Sequence, residues 1–184
     1  MIHRRRLGKP WHEELRFDDG RTLCLRPIDP ADAEPLRHAF VLLTPEEVRM
    51  RFLHPMTELS EEMARRLTHI DARSEFALVV AEPLPPGEAL VGAVVRAAID
   101  KGTRDADFAI LVSRFLAGRG LGTLLMQQIV RWAKRKRLDL IYGDVLHDNT
   151  AMLQLVQQMG FRRRTGDEPG LVRIELRLRP PAVG

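Results

Sequence analysis

Apolar residues fall along this chain in two rhythms, unbroken short runs and helical spacing, and the change from one to the other marks its central segment. Phe108 to Val112 is a continuous apolar run of strand length, and from Leu121 the residues Leu121, Leu124, Leu125, Ile129 and Trp132 recur on one helix face. A strand therefore becomes a helix within a few residues. Upstream, residues 14–19 and 22–26 flank Gly20 as a hairpin that Pro27 closes. Asp29-Pro30 opens a helix through Leu36, Ala39, Phe40 and Leu43. Thr44-Pro-Glu-Glu47 caps a second helix, Pro55 breaks it, and Ser60-Glu-Glu-Met63 caps a third with Met63, Leu67 and Ile70 on one face. Residues 75–81 and 89–99 read as neighbouring strands joined by a proline-rich turn, and Asp100-Lys-Gly102 returns the chain to the central strand at Asp107. Past the central helix come a strand at 139–146 and a helix capped by Asn149, with Met152, Leu155, Val156 and Met159 on one face and Gly160 as its stop. Strands at 161–164 and 171–178 follow, and Pro180-Pro181 ends the sheet.

This order predicts an α/β (α+β) domain, a mixed and mainly antiparallel sheet of about seven strands with helices on both faces. Met1 to Trp11 has no periodicity and reads as a tail or an edge-packing arm. The expected division is an arm over 1–20 and a single domain over 21–180.

The turn between the central strand and helix holds Gly118, Gly120 and Gly122. Such a turn permits unusual backbone angles, and the free amides of the helix start favour an anion such as a pyrophosphate. The phosphate loop of NTPases, Gly-x-x-x-x-Gly-Lys-Ser/Thr, is absent. A dinucleotide fingerprint needs its third glycine one residue later, although Asp144 stands at a suitable distance for a ribose contact. A tight turn that binds nothing is the plain alternative.

Composition narrows the class. A chain of 184 residues, 45% hydrophobic, suits one domain with a substantial core. A single cysteine, Cys24, excludes an intramolecular disulfide framework and a Cys-rich zinc site, and the six histidines show no metal-ligand spacing. Neither a signal peptide nor a run long enough to cross a bilayer is present, so a cytoplasmic protein is expected. The net charge of +4 comes mostly from arginine. The run Lys134-Arg-Lys-Arg137 lacks the interleaved aromatics of a nucleic-acid surface and reads as the solvated end of a helix.

Ala117-Gly-Arg-Gly-Leu-Gly122, together with Asn149, Leu155, Gly160 and Phe161, resembles the GNAT superfamily of N-acetyltransferases. Its acyl-CoA signature is Gln/Arg-x-x-Gly-x-Gly/Ala, and its closing helix reads Asn-x-x-Ala-x-x-Leu-Tyr-x-x-x-Gly-Phe. Ala117 departs from the first pattern, and Val156 stands at the tyrosine of the second, the residue often given as general acid. Leu25-Arg-Pro-Ile28, Asp32-Ala33, Leu43-Thr-Pro-Glu46, Arg51-Phe52, Ile70-Asp71 and Phe76-Ala-Leu-Val79 are similar to the GNAT domain of bacterial Pat-type protein lysine acetyltransferases.

The resemblance implies acetyl-CoA as co-substrate, no metal, and an amine acceptor, favoured as a protein lysine, with a small-molecule amine as the rival. A non-catalytic acyl-CoA-binding regulatory module is the reading from another class, and a homodimer stays open. Acyl transfer needs a neutral amine, and lysine's pKa of about 10.4 makes a proton acceptor necessary at neutral pH. Asp107, where the superfamily often has a glutamate, is the first candidate base and Glu75 the second. Backbone amides of Leu111, Val112 and Ser113 are the implied oxyanion donors. Gly118, Arg119, Gly120, Leu121, Gly122 and Thr123 are expected to hold the pyrophosphate, with Arg114 as a further cation. Asn149 is expected beside the pantetheine arm. The thiolate, with a pKa of about 8.5, departs without a dedicated acid.

Overall fold

The computed structural model describes residues 1–179, so the stop expected at Pro180-Pro181 lies outside the described residues. Fifteen elements follow one another: β1 (Ile2–Arg6), β2 (Glu13–Phe17), β3 (Thr22–Pro27), a 3-10 turn (Pro30–Asp32), α1 (Ala33–Val41), α2 (Pro45–Phe52), α3 (Glu61–Thr68), β4 (Glu75–Ala81), β5 (Val91–Ile99), β6 (Asp105–Val112), α4 (Leu121–Arg135), β7 (Leu140–Leu146), α5 (Thr150–Gln158), β8 (Arg162–Thr165) and β9 (Leu171–Arg177). The strands form one sheet in the order β1-β2-β3-β4-β5-β6-β7-β9-β8, and every pairing is antiparallel except β6 with β7. The sheet thus has nine strands where about seven were expected. One extra strand is β1, which pairs with β2 from Ile2↔Phe17 to Arg6↔Glu13. Its sequence carries no apolar alternation because it is an edge strand, exposed over four of five positions.

Helix starts follow the local chemistry. Thr44 and Glu47 form a reciprocal capping box at α2, and Ser60 accepts from the Met63 amide at α3. Asp29 and Asp32 make a similar box around the 3-10 turn, one turn ahead of α1. Asp32 also takes two hydrogen bonds from Arg26 at 2.7 and 2.8 Å, and the pair is 7% and 0% exposed, which fastens β3 to the start of the helical segment.

Two apolar layers sandwich the sheet. On one face Leu121, Leu125 and Ile129 of α4 pack with Leu15, Leu25, Leu78, Val80, Val95 and Phe108. On the other, Phe40 of α1, Val48 of α2 and Ala64 of α3 cover Ala77, Val79, Ala81 and Val91. Strand β4 gives alternate residues to both layers, which is why its apolar run is continuous. Trp11 lies edge-on to Phe76 at 5.0 Å, and Phe76 stacks on Trp132 of α4 at 5.4 Å. The segment leading into β2 is therefore part of the packed structure.

Candidate active site

Strands β6 and β7 begin side by side and then part. They are parallel partners from Asp105↔Leu140 to Asp107↔Tyr142, after which β6 stays with β5 as far as Val112 and β7 stays with β9. The gap is a cleft of about 540 Å³ whose walls include Phe108 to Val112, the glycine turn and Asn149.

Strand parity decides which backbone groups this cleft receives. The Ser113 amide donates to Gly92 at 3.0 Å, and at the other end of the strand pair Asp100 donates to Asp105 at 2.9 Å. With the register Val94↔Leu111 between them, the odd-numbered residues of β6 bond to β5 and the even-numbered ones turn their N–H and C=O away from it. Past Asp107 those outward groups meet the cleft instead of β7. Of the three amides expected to face the thioester, that of Val112 turns to the open side, whereas those of Leu111 and Ser113 point into the sheet. Ile110 is the second amide on the open side. Ser113 itself is not in the cleft wall, although Leu111 is.

The far end of the cleft is the start of α4. Gly120 caps the helix with φ 83°, a conformation that side chains strain to adopt, and the first amide to bond back is Leu124, to Gly120 at 3.1 Å. Leu121, Gly122 and Thr123 therefore present free amides to the cleft, reinforced by the helix dipole. A Cβ at Gly122 would meet the terminal methyl of the Leu155 side chain at 2.8 Å, a neighbour that would have to shift.

The cations expected to assist are already engaged. Arg119 donates to Asp19 at 2.7 Å, and Arg114 bonds Glu47 and the Leu42 carbonyl, each at 3.0 Å. Arg119 is also absent from the cleft wall. Anion binding here rests on backbone amides. Asn149 lines the cleft while its Oδ1 accepts from the Met152 amide at 3.2 Å, which leaves its NH2 group as a donor. Val156 is 1% exposed within the core and is not in the cleft wall.

On the side facing α1 to α3, register brings Glu75, Ala98, Asp107 and Tyr142 into one row across four strands. Glu75 and Asp107 share a side pocket of about 360 Å³ with Arg51 and Arg96. Glu75 is held: it accepts from Arg96 at 3.1 Å and from the Asp71 amide at 2.8 Å. The Asp107 carboxylate has no hydrogen bond or ion pair among the described residues. Although part of it meets solvent, desolvation by the surrounding protein pushes its pKa up to about 6, and the negative charges of Asp144 and Asp100 add to this. Those neighbours are themselves bound, Asp144 by Arg173 at 2.9 and 2.8 Å and Asp100 by the Tyr142 hydroxyl at 2.6 Å. Arg51 has no carboxylate partner among the described residues, and burial depresses its guanidinium to about 10.

A family model described as an acetyltransferase (GNAT) domain matches residues 22–162. The chain belongs to the GNAT acetyltransferase family. This GNAT chain is 29% identical over 154 residues to an acetyltransferase of Pseudomonas aeruginosa, covering 84% of this chain and 81% of that one. Among solved structures it is similar to the GNAT domain of S. lividans PAT, with 29% identity, a TM-score of 0.78, and 91% and 97% of the two chains covered. A cAMP-binding acyltransferase from Mycobacterium smegmatis shares the fold at 20% identity and a TM-score of 0.60, and this chain spans 48% of its length.

The GNAT family brings an acyl-CoA co-substrate and an amine acceptor, and the chain is an N-acetyltransferase. The residues fit such a co-substrate: free amides at a helix start for the diphosphate, and unpaired strand groups for the amide-bearing arm. No helix among the described residues is long and apolar enough to cross a membrane. Ile110 and Arg51 are the site neighbours that sequence reasoning left without a role. Register was needed for the first, and for the second the only signal was its place in the Arg51-Phe52 pair.

Proposed function

We propose that this GNAT enzyme transfers acetyl from acetyl-CoA to the side chain of a protein lysine, with Asp107 as general base. The observation that carries the assignment of the base is the contrast within one pocket. Glu75 is tied by Arg96 and a backbone amide, whereas Asp107 is unpaired and titrates near neutrality, where a base is most effective. The acceptor nitrogen approaches as the neutral amine across the polar end of the sheet, where Asp107 carries the unpaired carboxylate. Its lone pair attacks the thioester carbonyl, the proton passes to Asp107, the carbon–nitrogen bond replaces the carbon–sulfur bond, and coenzyme A leaves as the thiolate. Val112 and Ile110 offer amides on the side of β6 that faces the thioester.

The lysine acceptor is supported by the likeness to the S. lividans PAT domain. Coenzyme A release, measured with acetyl-CoA against lysine-containing peptides, folded proteins of a lysate and a panel of small amines, is expected to favour the protein lysines. Faster turnover with a small amine than with any peptide or protein would replace the acceptor. Tight binding of acetyl-CoA without transfer to any amine would replace the enzyme by a sensing module.

A further inference from the structure

Three cavities meet at Arg51. It stands in the wall of the co-substrate cleft, of the side pocket that holds Asp107, and of a third cavity of about 340 Å³ between α1, α2 and the sheet, and no other residue is common to all three. The third cavity is apolar. Leu36 and Phe40 of α1, Phe52 of α2, Ala77 of β4, Val94 of β5 and Leu111 of β6 face it. Its mouth carries Leu42, Leu90 and Phe115, all exposed to solvent.

Acyl transfer to an amine passes through a carbon with four substituents: sulfur, nitrogen, oxygen and the acyl chain. The cleft receives the sulfur and its arm, and the side pocket receives the nitrogen that faces Asp107. The oxygen needs only donors, which the Val112 and Ile110 amides supply. The acyl chain is the remaining substituent, and the apolar cavity adjoins the cleft. Besides Arg51, the walls shared by cavity and cleft are Leu111 and Leu116, so a hydrocarbon passes from the cleft along apolar surface. The walls shared with the side pocket are Phe52, Leu67 and Arg96 besides Arg51, so on that side a second guanidinium borders the passage. A methyl group leaves such a cavity almost empty.

We propose that this cavity is an acyl-chain site, and that the enzyme binds and transfers straight-chain acyl groups longer than acetyl. The inference rests on the reading of the cleft as the acyl-CoA site and names the donor class it selects. The reaction is unchanged in balance. The amine nitrogen bonds to the carbonyl carbon, the carbon–sulfur bond breaks, Asp107 takes the proton, and an N-acyl amide and coenzyme A are formed.

Calorimetric titration of the intact chain with acetyl-, butanoyl-, hexanoyl- and octanoyl-CoA tests this. Affinity is expected to rise with each added methylene, by up to about fourfold where the group is fully buried. Val94→Phe, which fills the cavity beside Leu111, is expected to abolish that gain and keep acetyl-CoA binding. Ala39→Phe fills it from α1 and gives the same reading if Val94→Phe fails to fold. Acetyl-CoA binding with flat or falling affinity for the longer esters overturns the acyl-chain site and leaves the acetyltransferase reading standing. A gain that persists in either folded variant also overturns it. Failure of every ester to bind overturns both.

Discussion

Asp107→Asn is expected to lower turnover about a hundredfold or more at neutral pH while leaving the dissociation constant of acetyl-CoA unchanged. The carboxylate lies in the side pocket and the anion-binding amides lie at the start of α4, so the two functions separate. The deficit should shrink at higher pH, because neutral amine then forms without help. Stability gives a second readout with a definite sign. In the folded chain Asp107 holds its proton up to about 6, against 3.8 for an ordinary aspartate, so the folded state binds the proton more tightly than the unfolded one. The parent therefore loses stability as pH rises from about 4 through 6, and the uncharged asparagine does not. The variant's melting temperature should gain on the parent's across that window. Parental turnover over the whole pH range would exclude Asp107 as the base and move the role to Glu75.

Asp32→Ala is expected to cost about 3–5 kcal/mol of folding stability, read as a lower urea midpoint. Asp32 is fully buried, takes both Arg26 hydrogen bonds, and accepts from the Asp29 amide at 2.9 Å. Its loss leaves a guanidinium whose Nε already has no partner with only the Pro27 carbonyl at 3.2 Å. Replacing both members by apolar residues, Arg26→Met with Asp32→Leu, should recover much of the loss because no buried charge is left unpaired. A single variant as stable as the parent would mean that water reaches Arg26 and that the pair contributes little to joining β3 and α1.

What could be read in the sequence was whatever is decided locally. The caps at Thr44 and Ser60 stand where their residue types put them, since each depends on three neighbours. The strand, glycine turn and helix from Phe108 to Trp132 are legible for the same reason. Oxyanion donors are another matter: whether an amide of β6 faces the cleft or β5 depends on the register with β5, and a shift of one residue would exchange Leu111 for Ile110. Arg119, expected as a phosphate partner, is paired with Asp19, a hundred residues earlier, a contact across the fold that local sequence does not reveal. Val156, noted in sequence for a missing tyrosine, turns out to be a core residue. Edge strand β1 escaped because a strand exposed on most positions needs no alternation.

The central claim is that the acyl-CoA is held where β7 leaves β6, on the outward amides of β6 and the free amides of α4. Titrating the isotopically labelled chain with acetyl-CoA and following backbone amide resonances tests it directly. The account predicts the largest shifts at Ile110, Val112, Leu121, Gly122 and Thr123, with smaller ones at Leu111 and Ser113, whose amides remain bonded to β5. Large shifts at Leu111 and Ser113 with little change at Ile110, Val112 and the start of α4 would contradict it.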